Sequence, residues 1–352
     1  MSITLSLCMI VKNEEASLKN TLLSVYDIVD EIVIVDTGST DDTIKIAKEF
    51  KKAKIFETSW EDDFSKVRNL SLSKATSDWI LVLDADETVS RKDIARLKEL
   101  IVPEKNVAFS FTTRNYLKLN VIPGAVSCTH EYAEEEPYSG WIPSDKIRLF
   151  PNLKDIRFEK VIHEIVEPSI IKQNIEVLST DIPIHHFGFQ RDEEFQKEKG
   201  KMHLRLLKKQ LELTPENARC YFDLGFILFS QHNFAEAIKA FKQTIEKKPG
   251  FKDAYFFLGK SLHAVQEDSD AIKILEALIA LDDNYIEAHY VLGNIFFNQG
   301  DIPKALHCYN RVKKDNPVHP EVFFKLGLLM QKQGNLEKAK EYMLRAKEIL
   351  VK

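Results

Sequence analysis

Two aspartates that follow an apolar run are the residues whose types and spacing most clearly indicate chemistry. Asp84-Ala85-Asp86 follows residues 79–83, a run of five apolar residues typical of a buried strand. Because successive side chains of a strand point to opposite faces, we expect Asp84 and Asp86 to share a side. Adjacent carboxylates repel each other unless a cation lies between them. Solvated turns also contain Asp-x-Asp, but the pair suits Mg²⁺ or Mn²⁺ bound together with substrate phosphates.

Apolar segments that alternate with amphipathic ones must position this pair. Apolar residues at helical spacing follow the first apolar segment and predict a helix there. Further helices are predicted around residues 44–47 and 64–75. The order β-α-β-α-β-α-β, with strands apolar on both faces, predicts an α/β Rossmann-like sandwich built on a parallel sheet. The predicted strands are residues 5–11, 31–35, 54–57 and 79–83.

Polar residues at the ends of the first two strands suggest a nucleotide. Asn13 and Glu14 follow the first strand, and Asp36 follows the second. In open α/β sheets, ligands bind at the carboxyl ends of the strands. The first βα turn contains no glycine, so neither a dinucleotide-binding GxGxxG loop nor a GxxxxGK[ST] phosphate loop is present. We therefore expect side chains at these ends to accept hydrogen bonds from a base and a ribose.

Three runs in the first half of the chain resemble a known family. CMIVKNEE, IVIVDTGSTDDT and WILVLDADE, in this order, resemble family-2 glycosyltransferases of the GT-A fold, most strongly over residues 5–90. The resemblance implies an inverting, metal-dependent transfer from a nucleotide-diphosphate sugar. It also implies that Asp36 contacts the nucleobase, and that Asp84 and Asp86 are the ribose and metal aspartates. Arg68, on the helix before the Asp-x-Asp strand, could reach the diphosphate or could be a surface residue.

Two other enzyme classes share part of this pattern. Residues 84–88, DADET, fit the DxDxT motif of haloacid-dehalogenase-type phosphatases, with Asp84 as nucleophile and Asp86 as acid. That family places the motif on its opening strand, whereas two βα units precede it here. Sugar nucleotidyltransferases are nearer in fold, but this chain lacks their glycine-rich N-terminal phosphate loop.

The segment from residue 106 to 187 should provide the acceptor side of the site. Strands are predicted at 107–114 and 146–150, and the runs RLFPN, VIHE and IHHFG resemble bacterial family-2 transferases that carry helical repeats. An inverting displacement needs a base near the attacking hydroxyl or thiol. Glu164, which follows an apparent strand, is the predicted base, with a structural ion pair as the alternative. Asp145 and Glu131 are reserve candidates.

Three further side chains of this segment are candidates for the metal or the diphosphate. His163 and His186 lie at apparent strand ends and are predicted metal or diphosphate contacts, although a histidine is more often structural. Arg148 could neutralise the diphosphate or be an edge-strand charge. We interpret residues 132–137, YAEEEP, as a solvated, mobile loop over the site.

The second half of the chain is a repeat array. Leu-Gly recurs every 34 residues, and alanine recurs with the same step. This period, with small residues where two helices cross closely, is the tetratricopeptide signature. The Leu-Gly pairs lie at 224–225, 258–259, 292–293 and 326–327, and the alanines are Ala237, Ala271, Ala305 and Ala339.

An aromatic residue also recurs with the 34-residue step, at Phe222, Phe256, Tyr290 and Phe324. We expect this position to face a concave groove, where a ladder of rings could hold an extended peptide. Alternatively, the rings pack between neighbouring helices, or the array forms a homodimer.

Bulk properties agree with two domains and exclude some partners. The 352 residues suffice for a transferase domain over 1–190, a linker or capping helix over 191–217 and four repeats over 218–352. A net charge of −5 argues against nucleic acid and anionic membranes. No apolar run approaches the about 20 residues of a membrane span, and no signal peptide is apparent. Four cysteines without paired spacing fit a reducing cytoplasm.

Together these features predict a bacterial-type glycosyltransferase with an α/β GT-A domain and an all-α tetratricopeptide solenoid. Its donor would be a nucleotide-diphosphate sugar, most simply UDP-linked, and its acceptor a protein, peptide or saccharide recruited through the repeats. The competing hypothesis is an interaction scaffold whose repeats bind a partner while the transferase domain is inactive.

Overall fold

A computed structural model of the protein describes residues 3–104, 106–118, 125–188 and 193–351. The chain forms two compact units, Met1–Leu206 and Leu207–Lys352. The boundary that the sequence suggested at residue 190 lies outside the described residues. The division between the units falls within a long helix, α6, which covers Glu193–Leu213.

The first unit is built on one mixed sheet. Its strand order is β3-β2-β1-β4-β8-β6-β9-β5, with β7 paired to β8. The first four strands are parallel, as predicted. Strand β8 pairs with β4 in the antiparallel direction. It begins the second half of the sheet, which the first motifs did not predict. The strands are β1 Leu5–Val11, β2 Glu31–Asp36, β3 Ala53–Glu57, β4 Trp79–Val82, β5 Glu87–Val89, β6 Val107–Leu117, β7 Val126–Ser127, β8 Gly140–Pro151 and β9 Glu176–His186.

Helices cover this sheet because their apolar faces match its buried strands. Strands β2 and β4 are buried along their whole length. Helix α1 buries Leu18, Leu22 and Val25 against them, and α3 begins at a cap in which Asp63 accepts the Lys66 N–H at 3.0 Å. The helices are α1 Leu18–Val25, α2 Thr43–Lys48, α3 Phe64–Lys74, α4 Ile94–Glu99 and α5 Glu167–Lys172. The predicted α/β sandwich is thus confirmed.

A buried carboxylate ties the amino ends of the strands together. Glu31, at the start of β2, accepts the hydroxyl of Ser6 at 2.6 Å and pairs with Lys54 at 2.7 Å. The backbone N–H groups of Thr76 and Ser77 also donate to it. Burial alone would raise the pKa of Glu31, but these donors outweigh it and lower the pKa to about 2.

The Glu31 network should make the first unit sensitive to acid. Because the folded-state pKa lies below the ordinary 4.5, the stabilisation is present above pH 4.5 and is lost as the pH falls towards about 2. We expect Glu31→Gln to lower the free energy of unfolding by up to about 3 kcal/mol near neutral pH. Near pH 2, where Glu31 itself becomes protonated, the loss should be much smaller. Urea unfolding followed by tryptophan fluorescence measures this, since all three tryptophans lie in the first unit. Glu57→Gln, at an exposed position of β3, is the control; equal pH profiles for both variants would contradict the assignment.

The second unit is the predicted array of helix pairs. Three glycines of the first helices face large side chains of the second: a Cβ would lie 2.7 Å from Phe241 at Gly225, 2.6 Å from Leu275 at Gly259 and 2.7 Å from Tyr309 at Gly293. The close crossing therefore explains the recurring glycine. The helices are α7 Ala218–Ser230, α8 Phe234–Lys247, α9 Lys252–Ala264, α10 Asp268–Leu281, α11 Ile286–Gln299, α12 Ile302–Asp315, α13 Pro320–Lys332 and α14 Leu336–Val351.

The four recurring aromatic residues do not form a uniform exposed ladder. Phe222 is 8% exposed and stacks on Phe251 with ring centroids 4.7 Å apart. Phe256 and Tyr290 are partly buried, whereas Phe324 is 49% exposed. Phe222 therefore packs between helices, which was the alternative interpretation of this position, and the available aromatic surface increases towards α13.

The glycine contacts predict a position-specific effect in the array. Gly259→Ala should destabilise the second unit by about 1–3 kcal/mol, because the new methyl group would overlap the branched Cγ of Leu275. A Cβ at Gly250 would meet nothing within 4 Å, so Gly250→Ala is the matched control. Urea unfolding followed by helical circular dichroism separates the two; equal stability of both variants would show that the helices do not cross this closely.

Candidate active site

The two aspartates of the Asp-x-Asp motif lie in a turn. Strand β4 ends at Val82, and the Glu87 N–H donates to the Asp84 carbonyl at 3.1 Å. The Glu87 carboxylate returns a bond by accepting the Asp84 N–H at 2.8 Å. Strand alternation therefore does not orient the two aspartates, because the chain has already turned towards β5.

Asp84 is the centre of a chain of five alternating charges. The Arg68 guanidinium donates through Nη2 to Asp84 and through Nε to Glu164 at 3.1 Å. On the other side, Arg148 Nη2 lies 3.7 Å from Asp84 Oδ2 and 2.5 Å from Glu87 Oε1. The order is Glu87–Arg148–Asp84–Arg68–Glu164. Arg68 and Arg148 are both buried, so the surface alternatives proposed for them from sequence are wrong.

This row of charges and its burial shift the pKa values of Asp84 and Glu87 in opposite directions. Burial would raise the pKa of Asp84, but Arg68 and Arg148 outweigh it and hold the pKa well below its ordinary value. Glu87 is deeply buried, and burial raises its pKa even though Arg148 favours the charged form. Asp84 is therefore a fixed anion, while Glu87 carries the larger desolvation cost.

Both guanidiniums keep unused donors. Arg68 Nη1 and Arg148 Nε are buried and have no hydrogen-bond partner among the residues that the structure describes. Unpaired buried donors are costly, and guanidinium groups suit phosphate oxygens. An anionic ligand next to Asp84 would satisfy them.

Asp86 faces a different partner. Its Oδ2 lies 3.3 Å from Nε2 of His186, the last residue of β9. A Cβ at Gly188 would lie 2.6 Å from both of these atoms, so glycine leaves this space open. Burial lowers the pKa of His186, but Asp86 and its neighbours outweigh this and raise it. A carboxylate oxygen and an imidazole nitrogen that face each other fit one side of a Mn²⁺ coordination sphere better than that of Mg²⁺, which prefers oxygen ligands.

The described residues do not assemble the larger metal set that the sequence suggested. Within them, no group of three or more His, Cys, Asp or Glu side chains could hold a metal ion. Asp84 is engaged by two arginines, and His163 lies near His203, with ring centroids 6.3 Å apart. A cation at Asp86 and His186 would therefore need further ligands from substrate phosphates and water.

Asn13, Glu14 and Asp36 shape the loops at the carboxyl ends of β1 and β2. Asp36 accepts the Gly38 N–H at 3.0 Å, and Asn13 Oδ1 accepts the Thr40 N–H at 2.7 Å. The Glu14 N–H donates to Thr43 Oγ1 at 2.6 Å. The Asn13 and Glu14 bonds tie the two loops together, and the Asp36 bond closes the second loop, at the edge where a nucleotide was expected.

The acidic segment over residues 132–137 was misinterpreted as solvated. Glu135 is fully buried and pairs with Arg114 at 2.6 Å, and Tyr132 is only 5% exposed. The Arg114 guanidinium also lies 4.7 Å from the Tyr132 ring. The three consecutive glutamates suggested a surface loop, but a partly buried arginine from β6 offsets the charge of one of them.

The two reserve bases are exposed, one in an ion pair and the other as a hydrogen-bond acceptor. Glu131 pairs with Lys92 at 3.0 Å, and Asp145 accepts the Thr112 hydroxyl at 2.6 Å.

Sequence reasoning missed Glu87, although it directly follows the Asp-x-Asp motif. Asn115 carried no local signal, since its contact with His186 comes from pairing between strands.

Comparison with known proteins matches both parts of the chain to known families. Residues 6–141 match the glycosyl transferase family 2 model, and residues 228–295, 293–334 and 320–349 match tetratricopeptide repeat models. The chain carries a family-2 glycosyltransferase domain followed by tetratricopeptide repeats. The resemblance stated from the three motifs and the repeat period is thereby confirmed.

Relatives match this chain over part of their length. A TPR repeat-containing protein of Synechococcus elongatus is 35% identical over 64% of this chain and 52% of its own length. The SPbeta prophage-derived glycosyltransferase SunS of Bacillus subtilis is 30% identical over 68% of this chain and 52% of its own length. The matches to these two curated relatives thus span about half of each. The crystal structure of MamA is 25% identical and covers 46% of this chain and 96% of its own, with a TM-score of 0.42.

None of the helices in the described part of the chain is both long and apolar enough to cross a membrane.

The five-charge chain predicts a strong effect of removing one arginine. Arg148→Met should destabilise the first unit by about 3–5 kcal/mol, because it leaves Glu87 buried without its cation. The exposed Arg157 supplies the matched control, and Arg157→Met should change stability by less than about 0.5 kcal/mol. Urea unfolding followed by tryptophan fluorescence measures both. Equal stabilities would mean that the Glu87–Arg148 pair does not hold the turn.

Proposed function

We propose that this chain transfers a sugar from a nucleotide-diphosphate donor to an acceptor hydroxyl or thiol, with inversion at the anomeric carbon. One observation carries the proposal: in the unit that contains the family-2 match, two buried arginines with unused donors flank Asp84, beside the Asp86–His186 pair. Cations next to a carboxylate–imidazole pair suit a diphosphate better than a neutral ligand.

The arginines would bind the diphosphate. Arg68 and Arg148 are positioned by Asp84, so their planes are set before a ligand arrives and little side-chain entropy is lost on binding. Asp86 Oδ2 and His186 Nε2 would hold Mg²⁺ or Mn²⁺. When bound, such a cation would neutralise the charge that develops on the departing diphosphate.

The nucleotide would lie over the loops that follow β1 and β2. Asn13 and Glu14 tie these loops together and Asp36 closes the second one, so we assign all three to the nucleoside side of the donor. Asp84 would lie near the ribose. UDP is the nucleotide we propose, on the resemblance alone.

Glu164 remains the proposed base. Its Oε1 accepts from Arg68 at 3.1 Å, which orients the carboxylate, and Oε2 makes no hydrogen bond within the described residues. The side chain is 16% exposed, so an acceptor could reach it. Oε2 would take the proton of the attacking hydroxyl or thiol.

The repeats would recruit the acceptor. SunS, the similar glycosyltransferase, indicates a transfer role for related chains, and exposed aromatic residues such as Phe324 give the array a surface for an extended peptide. A saccharide acceptor, a homodimer through the repeats and a scaffold with an inactive transferase domain are the competing assignments.

A thermal-shift panel tests the donor site. We expect one of UDP, GDP, CDP and dTDP to raise the melting temperature of the wild type with Mn²⁺ but not without it. Asp86→Ala should abolish that shift, because it removes half of the cation's protein ligands. Asp155→Ala, at an exposed position, should leave it unchanged.

The same proteins then test transfer. The wild type is given a sugar linked to the nucleotide that the panel selects. It should transfer the sugar to water and release the nucleoside diphosphate, and Asp86→Ala should not. If no nucleotide shifts the wild type with either cation, the transferase proposal is wrong and the scaffold hypothesis is favoured. If Asp86→Ala keeps both the shift and the turnover, the metal assignment is wrong.

A further inference from the structure

Asn115 joins three strands beside the candidate metal site. In the sheet, Asn115 of β6 pairs with Ile142 of β8 on one side and with His186 of β9 on the other. Its side chain follows the same row: Oδ1 lies 2.7 Å from His186 Nδ1, and Nδ2 donates to the Ile142 carbonyl at 2.9 Å. Asn115 therefore links His186 to the backbone of a strand two positions away in the sheet.

These contacts determine which way the amide points. The Ile142 carbonyl can only accept a hydrogen bond, and a second carbonyl, that of Thr113, lies 3.4 Å from Nδ2. The NH₂ group must face these carbonyls, so the amide oxygen faces His186. An oxygen at 2.7 Å from Nδ1 requires a proton on that nitrogen.

The protonation of one ring nitrogen determines what the other can do. With its proton on Nδ1, neutral imidazole carries its lone pair on Nε2. Nε2 is the nitrogen that faces Asp86 Oδ2, at 3.3 Å, and the Asn115 contact is the shorter of the two. The backbones next to this pair are also joined, since the Phe187 N–H donates to the Asp86 carbonyl at 3.2 Å.

We propose that Asn115 is a positioning residue that keeps the proton of His186 on Nδ1 and directs the Nε2 lone pair to a cation at Asp86. The proposal rests on the metal site of the proposed function, and it adds a residue that no motif of the sequence indicated. Outer hydrogen bonds of this kind set ring orientation and tautomer, and their loss commonly costs about 10–100-fold in metal affinity.

Three variants of the full chain separate this role from a structural one. Asn115→Leu removes the acceptor at similar volume, and Asn115→Asp restores an acceptor oxygen. Thr113→Val is the matched control: Thr113 lies two residues earlier on β6, is 1% exposed, and its hydroxyl has no partner among the described residues. Thermal unfolding is recorded for each variant.

Nitrogen-15 NMR of labelled histidine, recorded at a pH where the His186 ring is neutral, tests the tautomer without any cation. We expect His186 Nδ1 to carry a proton in the wild type, in Thr113→Val and in Asn115→Asp, and to lose it in Asn115→Leu. The signal is assigned by its absence in His186→Gln. A wild type without a proton on Nδ1 overturns the proposal, even if Asn115→Leu fails to fold.

Mn²⁺ binding in the presence of UDP, measured by electron paramagnetic resonance, tests the consequence. Asn115→Leu should bind Mn²⁺ about 10–100-fold more weakly and lose the pulsed-resonance modulation of a bound imidazole nitrogen, whereas Thr113→Val keeps both. Unchanged affinity and modulation in Asn115→Leu overturn the proposal.

If the proposed metal site does not exist, the Mn²⁺ measurements give a different result. If the wild type binds no Mn²⁺ with UDP, or binds it equally after Asp86→Ala, the metal site itself is wrong. The NMR measurement then still decides whether Asn115 sets the tautomer of His186.

Discussion

The buried charge chain around Asp84 is the interaction on which the arrangement of the site depends. Two guanidiniums and three carboxylates come from α3, β8, the turn after β4, the start of β5 and the segment before α5. Removing such charges from water costs several kcal/mol per ion, and each ion is tolerated only because its neighbours compensate it. The turn between β4 and β5 cannot rearrange without leaving one of these charges unpaired. That constraint holds Asp84 between the two arginines, whereas Asp86 faces His186.

The mixed sheet determines what meets this turn. A purely parallel sheet would have placed only β1 to β4 at the carboxyl edge. The antiparallel β8 instead carries Arg148 alongside β4, and β9 places His186 opposite Glu87 in the register of β5. Asn115 reaches the same row through β6. Sites built on paired strands are held more rigidly than sites on loops, which suits chemistry that requires fixed geometry.

The repeat unit follows simpler physics. Each helix pair contacts its neighbours, and the 34-residue step places a glycine wherever a large side chain of the second helix crosses the first. Such an array needs no long-range charge network, because local contacts suffice. The aromatic position varies in exposure from Phe222 to Phe324 because the surrounding side chains differ between repeats.

The sequence by itself determined the features that depend on local periodicity. Strand runs with polar ends predicted the parallel half of the sheet, the three motifs predicted the family, and the 34-residue step predicted the array. The partners of the site residues were decided only by the tertiary structure. Arg148 and Glu87 are 61 residues apart in the chain, and Arg68 and Glu164 are 96 apart. Nothing local distinguishes a buried Arg68 from a surface one, a buried Glu135 from a solvated one, or Asn115 from any polar residue of a strand. Strand order and register bring such residues together, and both are properties of the whole sheet.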